Sequence, residues 1–461
     1  MLFLIIRKEI AHNVLSLRFA VTYVLLFLLV PLVVLLMTGE YQERFQVFTN
    51  EVNKTQETID GLEKIEDADE QFREMQRATF FGARPPRQMG LLARGVEGSL
   101  PTRVPSVTYS FFSSSEERLG KDILVETFQT PDFAYVVNIV ISLLALVFVF
   151  DAICGEKERG TLKVLLTNSV PRDILLLGKW IGGYLSIAVP FIVAVLGGFV
   201  YVYVSGSLGA DGDGLERFLL ITAVALLYIS TFYTLGLLIS TLTHRTATAL
   251  LVSLMVWIGF ILVIPNLSPI VSELLSPAPS RQVIDAEKRA IDEEQRLLME
   301  IAQKRQVYGR QDYEKMRQET QQRKDKLEKF YKEKTSAQVE LGKNLARLSP
   351  SACSLLAMTR LAGTGPVLFE QFYQAITRYQ QHYQEYRSGF YRSGVIEFSP
   401  SGTKVKDKDW FKADELPRFE MFEEPLDDSL NAALFDVLLL LIYNVFFFML
   451  AYLFFLRYDV T

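Results

Sequence analysis

Residues 155–166 read Gly-Glu-Lys-Glu-Arg-Gly-Thr-Leu-Lys-Val-Leu-Leu, a short charged stretch that separates two long apolar runs. Within it, Leu162, Leu165 and Leu166 recur at positions i, i+3 and i+4, so they share one face of a helix. Pro171 predicts the end of that helix, because proline lacks the amide donor and clashes with the preceding turn. The pattern indicates a short amphipathic helix at the membrane surface, whose leucine face can enter a groove on a soluble partner.

Apolar blocks alternate with polar segments along the whole chain. Half of the 461 residues are hydrophobic, yet 22% are charged, which is typical of a membrane protein with hydrophilic inserts rather than of a uniform soluble domain. The net charge of −5 gives no reason to expect a nucleic-acid partner. The histidines and cysteines show no metal-ligand spacing, and Cys154 and Cys353 are expected on opposite sides of the membrane, so they cannot pair.

Six apolar runs are long enough to cross a lipid bilayer. We predict spans at residues 19–37, 133–153, 174–204, 218–242, 246–265 and 432–456. Residues 1–18 mix apolar and charged positions, which predicts an interfacial helix that is retained rather than cleaved as a signal peptide. Lysines and arginines concentrate on the side of the termini and of the loop 154–173, which predicts cytoplasmic termini in a cell inner membrane.

Two large hydrophilic inserts then lie on the extracytoplasmic side, at residues 38–132 and 266–431. The first is expected to be helical over 41–79, and its apolar residues favour a small domain that packs on the second insert over a linker. The second is expected to be largely helical, with a solvated hairpin over 280–348 that breaks near Gly309. The predicted fold class is therefore a mostly α-helical membrane protein with six transmembrane helices, an N-terminal interfacial helix and two inserts.

The loop 154–173 resembles the loop after the second span of ABC-2-type (type V) exporter permeases. The residues that carry this resemblance are Glu-x-Glu-Arg-Gly-Thr-Leu at 156–162, the two leucines that follow, Pro-x-x-Ile-Leu at 171–175, and Gly178-Lys179. In that family the loop forms a cytoplasmic coupling helix that docks on the ATPase subunit. The resemblance implies a docking set of Glu156, Glu158, Arg159, Gly160, Thr161, Leu162, Leu165, Leu166, Pro171 and Arg172. The inserts resemble, more loosely, those of permeases that serve the maturation of multicopper enzymes.

Polar and aromatic residues outside this loop give further candidates. Asn138 and Asn444 lie deep in predicted spans, where a polar group either forms an interhelical hydrogen bond or faces a translocation path. Asp151, near the inner end of the second span, is expected to pair with Lys157, Arg159 or Lys179. An aromatic helical face in the second insert either packs on other helices or offers an outer cavity or a surface for a periplasmic partner. Its members include Phe372, Tyr379, Tyr383 and Tyr386.

No residue set in the sequence indicates catalysis. The phosphate-loop pattern Gly-x-x-x-x-Gly-Lys-Ser/Thr does not occur, so the chain is not expected to be an enzyme, and it is expected to hold no cofactor or metal of its own. ATP and Mg²⁺ would be bound by a partner.

The resemblance therefore implies ATP-driven export by a complex of two ATPase subunits and two permease copies, identical or paralogous, in the lipid bilayer. Leu162, Leu165 and Leu166 would insert into the ATPase, and Glu156, Glu158 and Arg159 would orient that joint. Two alternatives stay open. One is a mechanotransmitting permease that moves its extracytoplasmic domains without passage of a substrate, and the second is a non-transporting receptor or scaffold.

Overall fold

Six long apolar helices organise the computed structural model, and each contains one of the predicted spans. We call them span 1 to span 6, and their bounds are Leu17–Glu63, Phe133–Glu158, Arg172–Val204, Gly212–Leu242, Thr246–Leu275 and Leu426–Leu456. The structure describes residues 1–106, 131–167, 171–207, 212–305, 310–392, 395–399, 402–407 and 410–457. The predicted class, a mostly helical membrane protein with six helices long enough to span, is confirmed.

Span 4 lies at the centre of the membrane helices. About 67% of its most hydrophobic window is buried, against 17% for span 6 and 22% for span 1. Span 4 packs most extensively on span 6 and also on span 2. Its interior-facing residues include hydroxyls, which hydrogen-bond to neighbouring helices because bilayer lipid offers them no alternative partner. One example is Ser240, whose hydroxyl oxygen accepts the backbone N–H groups of Ile153 and Cys154 at the end of span 2.

Span 1 continues far beyond the segment that a bilayer needs. Its 47 residues correspond to about 70 Å of helix, whereas a hydrocarbon core is roughly 30 Å thick. The residues after Met37 are polar but contain no helix-ending proline, so the helix extends into the first insert. Ile59 and Leu62 near its far end are buried in the core of a small domain.

That domain, which we call the insert domain, combines both inserts, as the sequence suggested. Its core joins residues of the first insert, including Phe72, Met75 and Phe80, to Tyr383 and Trp410 of the second. Its elements are the helices Ala68–Arg77 and Val367–Arg392, the 3₁₀ turns Gln88–Leu91, Gly95–Ser99 and Ala413–Glu415, and two antiparallel strand pairs. The helix Pro350–Leu361 packs instead on spans 4 and 6. The strand pairs are Phe81–Ala83 with Arg103–Pro105 and Ile396–Ser399 with Gly402–Val405.

The buried carboxylate of Glu97 connects the loop of the first insert to span 1. Glu97 is 1% exposed, and one of its oxygens accepts the backbone N–H of Arg87 at 2.7 Å. It forms ion pairs with Arg84 at 3.4 Å and with Arg44 of span 1 at 3.5 Å. A buried charge is tolerated only when it is paired in this way. Glu97 therefore ties the loop of the first insert to span 1.

Asp132 joins the same loop to the start of span 2. Its carboxylate accepts the backbone N–H of Tyr135, as an N-cap, and that of Arg94, each at 2.7 Å. Burial raises the pKa of the Asp132 carboxyl to about 6 from an ordinary value of 3.8, although both hydrogen bonds act in the opposite direction.

The described residues fall into two compact units, and the features above, apart from the end of span 5, belong to the unit that holds residues up to 263 and from 349 onward. The second unit, residues 264–348, contains the end of span 5 and the helices Arg281–Arg305 and Arg310–Ala346. Ion pairs join Lys288 to Glu328 and Glu294 to Arg323, so the two helices run antiparallel as a hairpin. The predicted break at Gly309 lies outside the described residues.

The N-terminal helix, Leu2–Val14, packs against span 3. This contact is close because span 3 presents Gly182 to it. A Cβ atom at Gly182 would lie 2.8 Å from the Cβ of Glu9 and 3.1 Å from the carbonyl oxygen of Ile6. Gly197, on the same helix, has open space at its Cβ position.

Gly182→Ala is therefore expected to lower the thermal stability of the chain, because the N-terminal helix must move away from span 3. Overpacking of this kind costs about 1–3 kcal/mol. Gly197→Ala is the matched control and should leave the melting temperature unchanged or raise it, because alanine favours helix by about 1 kcal/mol. Thermal unfolding in detergent measures both variants, and equal melting temperatures would contradict the close contact.

Asp132 predicts a pH dependence. Its pKa is raised in the folded state, so its protonated form favours folding, and this contribution is complete below about pH 4 and lost as the pH rises through about 6. Asp132→Asn keeps a capping acceptor and removes the titration, whereas Asp132→Ala also loses the cap, which costs about 1 kcal/mol. Melting temperatures from pH 4 to 7 should fall more steeply for the wild type than for Asp132→Asn. Parallel profiles would show that Asp132 has an ordinary pKa.

Candidate functional site

The loop between spans 2 and 3 contains one short helix, Thr161–Thr167, which we call the loop helix. Gly160 reverses the chain before it with a φ of +73°, a left-handed conformation that glycine adopts without steric cost. The described part of the loop helix reaches Thr167, residues 168–170 lie outside the described residues, and Pro171 directly precedes the first turn of span 3. Pro171 caps the start of span 3, where a proline without its N–H is well tolerated, and its predicted role in ending the loop helix stays a prediction.

The leucines of the loop helix differ in exposure. Leu162 is completely buried, Leu165 is half-buried, and the side chain of Leu166 lies outside the described residues. The prediction that Leu162 is available to a partner is wrong in this structure, because the chain itself covers it. Val164 is instead 64% exposed, next to the exposed Thr161. Sequence reasoning missed Val164 because the i, i+3, i+4 pattern was drawn through the leucines alone.

A buried lysine connects the loop to the rest of the protein. The ammonium group of Lys179 in span 3 lies 2.9 Å from a carboxylate oxygen of Glu156 and 3.5 Å from one of Glu9 in the N-terminal helix. Lys179 is only 4% exposed. Glu156, expected to orient a partner, therefore points into its own chain. A lysine inside a predicted span was the sequence signal that could have identified this contact.

The other charged residues around the loop also have partners within the chain. Asp151 pairs with Arg18 at 2.7 Å rather than with the expected Lys157, Arg159 or Lys179. Glu158 is exposed, and its carboxylate accepts the backbone N–H of Thr246 at 2.9 Å, at the start of span 5. Such a carboxylate at a helix N-terminus is stabilised by the helix dipole.

Two arginines of the predicted docking set also act within the chain. The Nε of Arg159 donates to the carbonyl of Gly155 at 3.1 Å, and its side chain is exposed. Arg172 donates to the carbonyl of Leu456 at 2.5 Å, which joins the start of span 3 to the end of span 6. Glu158 before the loop helix and Arg172 at the start of span 3 thus join the two sides of the loop to spans 5 and 6.

Both asparagine candidates form interhelical hydrogen bonds. Tyr228 of span 4 donates to the side-chain oxygen of Asn138 at 2.6 Å, and Asn138 is buried. Asn444 of span 6 donates to Ser230 at 2.6 Å and accepts from Thr234 at 3.0 Å. These contacts favour the packing alternative over the translocation path.

Most of the predicted aromatic face lies in the core of the insert domain. Phe372, Tyr379 and Tyr383 are buried, and Tyr386 is half-buried. Phe419 packs edge-on against Phe372 and Tyr379 at ring-centroid distances of 6.3 and 5.9 Å. Burial raises the pKa of Tyr379 and of Tyr386. This packing favours the structural alternative, because little of the face is open to a ligand or a partner.

Comparison with known proteins agrees with this architecture. A family model described as ABC-2 family transporter protein matches residues 3–460. The "Probable ABC transporter permease protein NosY" of Stutzerimonas stutzeri is 35% identical over 127 residues, which cover 26% of this chain and 44% of that protein. The protein of the same name from Pseudomonas aeruginosa is 47% identical over 51 residues, or 11% of this chain and 18% of that protein. The chain thus aligns with less than half the length of these curated relatives.

Lys179→Met tests the buried ion pairs. The change leaves Glu9 and Glu156 as unpaired carboxylates in a buried site, which is expected to cost about 3–5 kcal/mol of folding free energy. Thermal unfolding should show a large fall in melting temperature, and limited proteolysis should show faster cleavage of the N-terminal helix.

The control is Lys163→Met, which removes an exposed lysine of the loop helix and should change the stability by less than about 0.5 kcal/mol. Adding Glu9→Gln and Glu156→Gln to Lys179→Met should restore much of the lost stability. A triple variant as unstable as the single one would show that lost packing, not unpaired charge, is the cause.

Proposed function

Because the chain belongs to the ABC-2 family of transporter proteins, we propose that it is the membrane-spanning permease subunit of an ATP-driven exporter. Membership of this family implies an ATPase partner. We place ATP and Mg²⁺ on that separate chain, since the sequence has no phosphate-binding loop of its own. This chain would then contribute the membrane path and the surface on which the ATPase docks.

The observation that carries this proposal is the short helix Thr161–Thr167 between spans 2 and 3. Thr161 and Val164 are exposed on it, Leu165 is half-buried beside them, and Gly160 is exposed directly before it. Movement of this helix would reach span 3 through Glu156 and Lys179, and span 5 through Glu158. A docked ATPase could therefore act on several spans at once through one small surface.

The orientation and the assembly form part of the same proposal. The excess of lysine and arginine at the loop helix and at the termini favours a cytoplasmic location for these parts in a cell inner membrane. Two ATPase subunits would act on two permease copies, identical or paralogous. Spans 1, 5 and 6 leave much of their apolar surface exposed within one chain, so this surface can meet lipid and a second copy.

A second candidate function is mechanotransmission, in which the ATPase moves the insert domain and no substrate crosses the membrane. The length of span 1 favours this candidate, because one continuous helix joins the membrane to the core of the insert domain. A periplasmic partner would then bind the insert domain. The names of the two relatives identify permeases of ABC transporters and leave the substrate open.

The exposed surface of the loop helix predicts the effect of one substitution. Val164→Asp, combined with Leu165→Asp, places two charges where the ATPase would bury apolar side chains. Loss of central interface contacts costs about 2 kcal/mol or more, so the affinity for the ATPase should fall by about 30-fold or more. A detergent pull-down of the tagged chain, co-expressed with its ATPase, measures the association, and ATP hydrolysis of the eluate measures the coupling.

Val164→Thr is the matched control, because threonine keeps the branched shape without a charge, and most of the association should remain. An intact complex after the double aspartate substitution would overturn the assignment of the loop helix. Recovery of the wild-type chain without any ATPase would overturn the transporter assignment itself.

A further inference from the structure

A cavity of about 880 Å³ lies beside the loop helix, within the unit that contains the membrane helices. Its walls come from the N-terminal helix, the first turns of span 1, the last turns of span 2, the loop helix, span 3 and Tyr233 of span 4. This volume falls in the range of ~300–1,000 Å³ that is usual for small-molecule sites.

The lining changes from charged to apolar with depth. Asp151, Glu156 and Arg159 line the cavity at the end of span 2, whereas Leu144 and Val147 line it further back along the same helix. Leu144 precedes Asp151 by two helical turns, or about 10 Å of helix rise. Span 1 has the same arrangement, because Arg18 lies at its start and Val21 one turn deeper. The cavity is therefore polar at the membrane surface and apolar towards the bilayer interior.

The charges of the lining favour an anionic ligand. Four lysine and arginine residues face three carboxylates in this cavity. The carboxylates are already paired, since Asp151 binds Arg18 while Glu9 and Glu156 share Lys179. Lys8 and Arg159 are exposed and form no ion pair with a carboxylate in the described part of the chain. They supply two positive charges at the polar end.

The second carboxylate oxygen of Glu156 favours a ligand that carries a hydrogen-bond donor. It is buried and has no hydrogen-bond donor among the described residues. A buried acceptor without a donor costs about 1–3 kcal/mol, so a ligand that brings a hydroxyl group to this oxygen gains affinity. A ligand that matches this cavity therefore carries a negative charge, a hydrogen-bond donor and an apolar chain.

We propose that this cavity binds an anionic phospholipid with a hydroxyl-bearing head group, drawn from the membrane leaflet beside the N-terminal helix. The phosphate lies between Lys8 and Arg159, a head-group hydroxyl donates to Glu156, and the start of an acyl chain lies along Leu144, Val147 and Val21. The loop-helix residues Val164 and Leu165 also line the cavity, so the bound lipid touches the same helix that the ATPase would use. Lipid binding is a property of this chain alone and does not depend on the ATPase.

The test reconstitutes the full-length chain into phosphatidylcholine nanodiscs that contain a small fraction of photoactivatable phosphatidylglycerol, or of photoactivatable phosphatidylcholine in a parallel sample. Mass spectrometry then quantifies the label in peptides 8–22 and 144–165, relative to peptide 438–453 of span 6, whose surface is largely exposed. We expect phosphatidylglycerol to label the cavity peptides about 25-fold more than phosphatidylcholine does, since two basic residues each contribute about fivefold.

The variants separate a built site from general attraction of anionic lipid. Each basic residue near a membrane surface contributes about 1 kcal/mol, or about fivefold, so Lys8→Gln with Arg159→Gln should reduce the phosphatidylglycerol label about 25-fold. The label should then reach the level seen with phosphatidylcholine. Arg7→Gln removes the same charge from the neighbouring position, which faces a different groove, and should leave the label unchanged. Unaltered phosphatidylcholine labelling in both variants confirms that they are folded.

Three results would overturn the proposal. The first is equal labelling of the cavity peptides by both lipids. The second is a loss of label with Arg7→Gln as large as that with the double variant, which would mean surface attraction only. The third is displacement of the phosphatidylglycerol label by sn-glycerol 3-phosphate at equal concentration, which would mean that the apolar half of the cavity does not contribute and that a soluble phosphate is the ligand.

Discussion

The buried ammonium group of Lys179 is the interaction on which the arrangement at the predicted cytoplasmic end depends. Removing a charge from water costs several kcal/mol, and this cost is met only while both Glu9 and Glu156 remain close to it. The N-terminal helix, the end of span 2 and span 3 must therefore lie close together around this ammonium group. Glu9, Glu156 and Lys179 all line the cavity beside the loop helix, so these ion pairs form part of its wall.

The sequence was sufficient for the membrane helices because their signal is local. An uninterrupted apolar run of about 20 residues has few alternatives to a spanning helix, so the six predicted spans each lie within an observed helix. The end of span 1 was harder to predict, because the polar residues after Met37 are good helix formers without a stop signal. The insert domain was partly predictable, since an apolar residue such as Phe72 in a polar segment indicates a core, although its partner Trp410 lies more than 300 residues away.

The candidate site was less predictable because it depends on which side chains meet in three dimensions. Helical spacing put Leu162 and Leu165 on one face, but spacing cannot say whether that face meets a partner or the chain's own helices. Asp151 had several plausible cations nearby in the sequence, yet it pairs with Arg18, which only the packing of span 1 on span 2 brings close. Asn138 and Asn444 illustrate the same limit, because a polar residue in a span has the same sequence pattern whether it faces a hydroxyl or a pore.

The continuous helix of span 1 has a mechanical consequence. The membrane part of span 1 is packed against other helices through Leu26, Val30 and Val34. Its far end is packed in the insert domain through Ile59 and Leu62. If span 1 moves as a rigid body, it acts as a lever. With a length of about 70 Å, a tilt of about 10° at the membrane end would displace the far end by roughly 12 Å. Small adjustments among the membrane helices would thereby produce large displacements of the far end of span 1.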